Sequence, residues 1–385
     1  MKTNLWSHAD VNDPYSIYET MIRESPVYRD EINRVWGVYS YDGCKTVLNN
    51  HAFHIPESVG GNELMFNDTV LNIRSRLTRL SNGITHEIAR HTALLLFERM
   101  KTVEMDSIIK DLLRNDHHEK ETDWVGSVGK QLPSTVILKG FGFNDDECWL
   151  ICHQMGQLVK IMSLTGQADL VNETAKEIYH TIENRLIAAG FYMTIIENLS
   201  RKYDISKDDA VAYCVSNLIG LLIQGYDACR GLLSNSLLQL LNDGEFLRGN
   251  GIAKERVQKA VIETLRFDPP VHNTRRVAAE DLQVNGYKIA KGEIIIVMLA
   301  AANRDPAKFV NPALFDIERA NNHEALTFGT GAHACVAKHF SIQLATEALT
   351  YSLNLYKNMK LREKEIKYEP LMNVRLPVKM LISLY

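Results

Sequence analysis

The residues with the clearest chemical character lie in the run Phe328-Gly329-Thr330-Gly331-Ala332-His333-Ala334-Cys335-Val336-Ala337. Two glycines and several small residues crowd a cysteine just before a helical pattern from Lys338 to Tyr356. Such a loop lets backbone N–H groups point at the sulfur, and the following helix offers its positive N-terminal end. Both favour a thiolate over a thiol. A thiolate of this kind is a nucleophile or a metal ligand. A nucleophile needs a partnered general base; His333 is two residues away, but no third orienting group can be read from the sequence. Zinc would call for Cys-x-x-Cys pairs, and there are none. Cys148-x-x-x-Cys152-His153 has helical spacing but is isolated and reads as core. A second cluster, Gln224-Gly225-Tyr226-Asp227-Ala228-Cys229-Arg230, sits in the middle of a long apolar helix. Asp227 and Arg230 stand three apart, the spacing of a pair on one helix face.

The elements that must position these groups are mostly helical. Asn12-Asp13-Pro14 opens a helix that runs to about Arg23. Pro26 to Tyr28 and Val35 to Tyr39 alternate like two short strands around Glu31-Ile32-Asn33-Arg34. From about residue 85 to 265 the period is helical almost throughout, with Pro133 as the one proline inside. Asp208 to about Asn242 is a single proline-free helix, apolar on nearly every face at Leu218, Ile219, Leu221, Leu222, Ile223, Leu232 and Leu233. A helix apolar all round lies inside a protein. Alone, this pattern fits a core helix with an Asp227–Arg230 pair. It also fits a helix passing beside a ligand, with Gly225 opening room. Val271 to Val297 reads as strands with turns at Asn285-Gly286 and Lys291-Gly292, and Leu361 to Tyr385 as further strands, edged by Pro370 and Pro377. The expected class is mainly α with small β-sheets, over one domain spanning residues 1–385.

The chain has 385 residues, 45% of them apolar and 23% charged, with a formal net charge of −4. That slight acidity speaks against a nucleic-acid binder held by phosphate contacts. Sparse Gly, Pro and like-charge runs exclude disorder. The N-terminus has no apolar core of signal-peptide length, and Leu218 to Leu233 is broken by Gln224, Asp227 and Arg230, so no membrane span is expected. Six scattered cysteines without a secretion signal read as reduced thiols, and the cytoplasm is the expected compartment.

A lone cysteine in a Gly-rich loop suits haem iron held by one axial thiolate. Phe328-Gly329-x-Gly331-x-His333-x-Cys335 resembles the haem-binding loop of the cytochrome P450 family, and it does not stand alone. Glu263-Thr264-Leu265-Arg266 is similar to the family's E-x-x-R pair, with Arg319 as its downstream arginine. Ala301-Ala302-Asn303-Arg304-Asp305-Pro306, Phe309, Pro312 and Phe315 match the segment between, and His86-x-x-x-Arg90 looks like the pair that contacts haem propionates. The resemblance covers nearly the whole chain and is of the bacterial type without a membrane anchor. It implies the P450 fold, with haem b between the long helix and the cysteine loop and Cys335 as the iron ligand. His86, Arg90, Arg276 and His333 would meet the propionates by charge-assisted hydrogen bonds, with Phe328 and Gly329 as further cofactor-binding residues of the loop; Arg276 is favoured over Arg275. Glu263, Arg266 and Arg319 would form a buried structural network rather than a catalytic one.

The implied activity is monooxygenation of a small organic substrate, expected in bacterial secondary metabolism. Two electrons would come from NAD(P)H through a ferredoxin or flavodoxin and its reductase. The family default is a monomer. Asp227 would relay protons beside Gly225, but Ala228 stands where the family carries threonine, and alanine cannot donate a hydrogen bond. Three readings stay open: a water or substrate hydroxyl completes the relay, the reaction is a dehydrogenation or ring coupling, or peroxide is leaked or used. Ala337 replaces a usual glycine. Gln224, Val271, His272, Asn273, Thr274 and Met372, with the loop from Ile55 to Ile84, are candidates for the substrate pocket. Rival readings are a haem-bound module docking a carrier protein, and an isomerase or dehydratase using the same iron.

Overall fold

A computed structural model describes residues 12–56, 64–114, 121–164, 166–190, 192–243, 246 and 251–384. The N-terminal run and Gly60-Gly61 of the proposed pocket loop lie outside these residues. Tertiary contacts gather into two compact units. One comprises residues up to Pro56, Met105–Lys130 and everything from Asp227 onward; the other comprises Glu57–Glu104 and Gln131–Tyr226. The partition falls inside the helix Lys207–Asn242, between Tyr226 and Asp227.

The first unit carries the sheets. Its five-stranded sheet runs in the order Val27–Asp30, Val35–Val38, Ile294–Val297, Thr274–Ala278, Phe53–His54. All neighbours are antiparallel except Val35–Val38 with Ile294–Val297, where Trp36 faces Ile295 in parallel register. Inward residues such as Val38, Ile295, Val297 and Ala278 join Val47, Leu48 and Phe309 in one buried cluster. The turn expected at Asn285-Gly286 closes a hairpin between Leu282–Val284 and Tyr287–Ile289. Both turn residues have positive φ, 50° and 84°, which the right-handed strand twist favours. Helices Lys254–Phe267 and Lys338–Leu355 pack together.

The uniform helical period read from 85 to 265 needs one correction. Glu121–Asp123 is a strand, paired with Leu381–Ser383 near the other end of the chain, and a π-helical turn, Val125–Gly129, follows it. A three-residue strand made by a distant partner leaves no local period to read. In the second unit Pro133 lies in the first turn of Leu132–Gly140, where its missing N–H is not needed. Helices Asp145–Leu158 and Ala168–Ala188 pack side by side, the former opened by an Asn144–Glu147 capping box.

The helix Lys207–Asn242 has 36 residues, matching the expected span within one position. From Tyr213 to Leu238 every residue is buried except Gln224, Gly225, Asp227 and Ala228. No helix among the described residues is long and apolar enough to cross a membrane.

Candidate active site

The cysteine loop is built by short-range bonds and anchored at its start. Gly329 N–H donates to Leu326 O at 2.7 Å, Ala334 N–H to Gly331 O at 3.1 Å, and Cys335 N–H to Phe328 O at 2.8 Å. Gly329 and Gly331 have φ of 65° and 72°, a region that an L side chain rarely adopts. A Cβ on Gly331 would come 2.6 Å from the Leu48 carbonyl, so the second glycine is also needed for close approach. Thr330 donates to Asn49 at 3.0 Å, fixing the loop tip to the helix Tyr41–Asn49.

Behind the loop lies the Glu263 network. Glu263 and Arg266 are fully buried and joined at 2.6 Å, and Arg319 Nε donates to the same carboxylate at 3.2 Å. Arg266 also donates to the carbonyls of Asn303, Pro312 and Leu314, and Arg319 to those of Val310, Asn311 and Leu314. Asn303 carries the order onward: its amide donates to Leu265 O and Thr327 Oγ1, and its oxygen accepts the Leu326 N–H. Thr327 itself donates to Leu265 O. These roles of Asn303 and Thr327 were not legible beforehand, because nothing local in Asn303-Arg304-Asp305-Pro306 shows which distant amide the side chain meets.

Of the six thiols, five are buried and only Cys335 is exposed. Burial pushes the thiols of Cys148 and Cys214 up to about 12 and that of Cys229 to about 11, and it also raises Cys44 and Cys152. Cys229 donates to Ser341 Oγ at 3.6 Å, so the residue after Ala228 touches the helix that follows Cys335. Along Thr274–Ala278 the side chains alternate. Arg275 is exposed, while Arg276 is buried, donating to Thr274 Oγ1 and the Arg275 carbonyl. His333 and Phe328 are half-buried.

These groups fit a haem. An accessible thiol at the end of the loop supplies a soft iron ligand, and the buried Arg276 guanidinium and the half-buried His333 imidazole supply a cation and a donor of the kind its propionates require. In the second unit, His86 is buried on the helix Gly83–Arg99 with Nδ1 2.9 Å from Thr78 O, and Arg90 is half-buried one turn along.

Asp227 lies 2.9 Å from Arg230, the i,i+3 pair expected of a core helix. The segment after Phe267 is tied to the tail. Val271 bridges Val374, His272 N–H donates to Asn373 O, and Asn273 Nδ2 donates to Met372 O at 2.8 Å. His272 is buried with Nδ1 3.0 Å from the Tyr18 hydroxyl. The cavity beside it, about 20 Å³ and lined by Tyr18, His272, Met372 and Arg375 among others, has room for a water at most. His272 and Asn273 thus make framework contacts to the tail, where Met372 supplies an accepting carbonyl.

The family model for cytochrome P450 matches residues 255–382, the stretch holding the Glu263 network and the cysteine loop. The biotin biosynthesis cytochrome P450 of Bacillus subtilis is 25% identical over 386 residues, covering 95% of this chain and 94% of that protein. Cytochrome P450 119 of Sulfurisphaera tokodaii is 29% identical over 337 residues, covering 84% and 86%. The crystal structure of P450BioI in complex with a hexadec-9Z-enoic acid ligated acyl carrier protein superposes with a TM-score of 0.78 at 23% identity, over 98% of this chain and 100% of that one. That likeness concerns the fold. The reading as a haem-bound module without oxygenase chemistry gains nothing from these relatives. With the loop, the network behind it and cytochrome P450 relatives along nearly its whole length, the chain is similar throughout to the cytochrome P450 family, haem-thiolate monooxygenases that use haem b.

Proposed function

We propose that the Cys335 sulfur would hold the haem iron and that the enzyme oxidises a lipophilic acyl chain presented by a carrier protein, drawing electrons from NAD(P)H through a ferredoxin or flavodoxin. The observation that carries the first part is the single exposed thiol at the end of a loop held rigid from behind. The substrate class rests on the names of two relatives, the biotin biosynthesis enzyme and the structure with acyl-loaded carrier protein.

Bound haem would supply oxygen activation, favoured by thiolate donation to iron. This chain's residues do the rest. The Phe328–Cys335 loop holds the sulfur in place. Arg276 and His333, both in the first unit, would be the cation and the donor for the propionates. Asp227 holds a proton at its carboxylate and passes it on, beside the partly open stretch Gln224, Gly225 and Ala228. Ala228 offers no hydroxyl, so a water or a substrate hydroxyl completes the path.

The test is a spectral titration of the ferric holoprotein with hexadec-9Z-enoyl acyl carrier protein, free hexadec-9Z-enoic acid, and a steroid. A low-to-high-spin shift with the loaded carrier at far lower concentration than with the free acid supports the proposal. A shift with the steroid or the free acid alone would overturn the carrier-bound reading.

A further inference from the structure

Asp227 is held by more than its own helix. Arg230 Nη2 lies 2.9 Å from Asp227 Oδ1, and the same nitrogen lies 3.8 Å from Glu369 Oε1. The Arg230 side chain is 8% exposed, whereas those of Asp227 and Glu369 are 34% and 30% exposed. One nearly buried cation is thus shared between two carboxylates that keep contact with water, and it leans toward Asp227.

Glu369 comes from the tail hairpin, where Tyr368 bridges Pro377 and Glu369 N–H donates to Leu376 O at 2.9 Å. That hairpin is seated hard against the long helix. A Cβ on Gly231 would come 2.6 Å from both Leu376 and Pro270, so glycine permits the approach. Asn235 Nδ2 donates to the carbonyls of Asp268 and Arg375, at 3.0 and 3.2 Å. Arg375 closes the joint with a 2.7 Å bond to the buried Asp268 carboxylate and by stacking on Tyr368. The carboxylate of Glu369 therefore reaches Arg230 from a framework element, with its geometry set by packing.

We propose that Glu369 is a positioning residue for Asp227. By competing for Arg230 it sets how firmly the guanidinium clasps the Asp227 carboxylate, and so how readily that carboxylate turns to pass a proton. The inference rests on the relay role given to Asp227 above. Two arrangements follow: Arg230 on Asp227, as seen, and Arg230 drawn to Glu369 with Asp227 released. Glu369→Gln removes the competitor and tightens the clasp; Arg230→Gln removes the clasp. A merely structural contact would not make the two changes act in opposite senses.

The readout is the infrared carboxylate band of Asp227 in the resting ferric holoprotein, assigned by its loss in Asp227→Asn. The band should move one way in Glu369→Gln and the other way in Arg230→Gln. NADPH oxidation with a surrogate ferredoxin and its reductase should fall in Glu369→Gln by about two- to fivefold, the scale of a partly exposed ion pair. A band unmoved by Glu369→Gln, or displaced alike in both variants, would overturn the proposal. If Arg230→Gln does not fold, Glu369→Asp replaces it: its shorter reach should give a smaller displacement in the same sense as Glu369→Gln, and an equal or opposite one overturns the idea. Failure of the underlying reading looks different, since turnover would then survive Asp227→Asn unchanged.

Discussion

The Asn303 side chain accepts the backbone N–H of Leu326 at 2.6 Å, both groups buried. This bond, with the one from the Asn303 amide to Thr327 Oγ1, couples the Glu263–Arg266 pair, which reaches Asn303 by its carbonyl, to the start of the cysteine loop. Asn303→Ala would leave the Leu326 amide without its side-chain partner and the Leu265 carbonyl with Thr327 alone. We expect a loss of about 1–3 kcal/mol, the penalty for an unsatisfied buried group. Urea unfolding of the holoprotein checks it, with haem lost earlier in the transition than in the unmutated chain.

The two loop glycines should respond unequally. Gly331→Ala places a Cβ 2.6 Å from the Leu48 carbonyl as well as straining the backbone. At Gly329 the nearest such atom is the His333 carbonyl, 3.8 Å away, which leaves only the conformational term of about 1–2 kcal/mol. Gly331→Ala should therefore lower the denaturation midpoint more than Gly329→Ala. Equal effects would mean that the Leu48 contact relaxes freely.

Thiol chemistry separates Cys335 from the other five. Burial raises the pKa of each of those thiols, so at pH 8 their thiolate fraction is negligible, whereas Cys335 is open. Iodoacetamide should alkylate Cys335 first in the haem-free chain, and reconstitution with haem should suppress that alkylation. Peptide mass spectrometry reads both. Equal labelling with and without haem would separate Cys335 from the iron.

Ala228 is half-buried on the long helix. Ala228→Thr adds a donor and an acceptor one residue from Asp227. The share of NADPH electrons released as peroxide should fall roughly two- to tenfold, the scale of one added hydrogen bond of about 0.5–1.5 kcal/mol. Unchanged peroxide release would place proton delivery elsewhere.

What was legible in the sequence followed local rules. The long helix, the Asn285-Gly286 hairpin and the Glu263–Arg266 spacing each announce themselves within a few residues, and each is found. Arg276, favoured over Arg275 for its spacing to Val277-Ala278, is the buried one of the two. The rest depends on chain ends meeting. Glu121–Asp123 is a strand only because Leu381–Ser383 pairs with it, and Glu369 reaches Arg230 across 139 positions of chain. His272 looked available to a ligand from its neighbours in sequence, yet its ring lies against Tyr18 on the N-terminal helix Tyr15–Glu24. No periodicity encodes such a partner.

The central claim is that the sulfur of Cys335 binds the haem iron. The reduced carbon monoxide spectrum of the unmutated protein and of Cys335→Ser tests it most directly. The thiolate-type absorption should be present in the first and absent from the second, while haem is still detected in both. Thiolate-type absorption persisting in Cys335→Ser would contradict the assignment and put the iron on another cysteine.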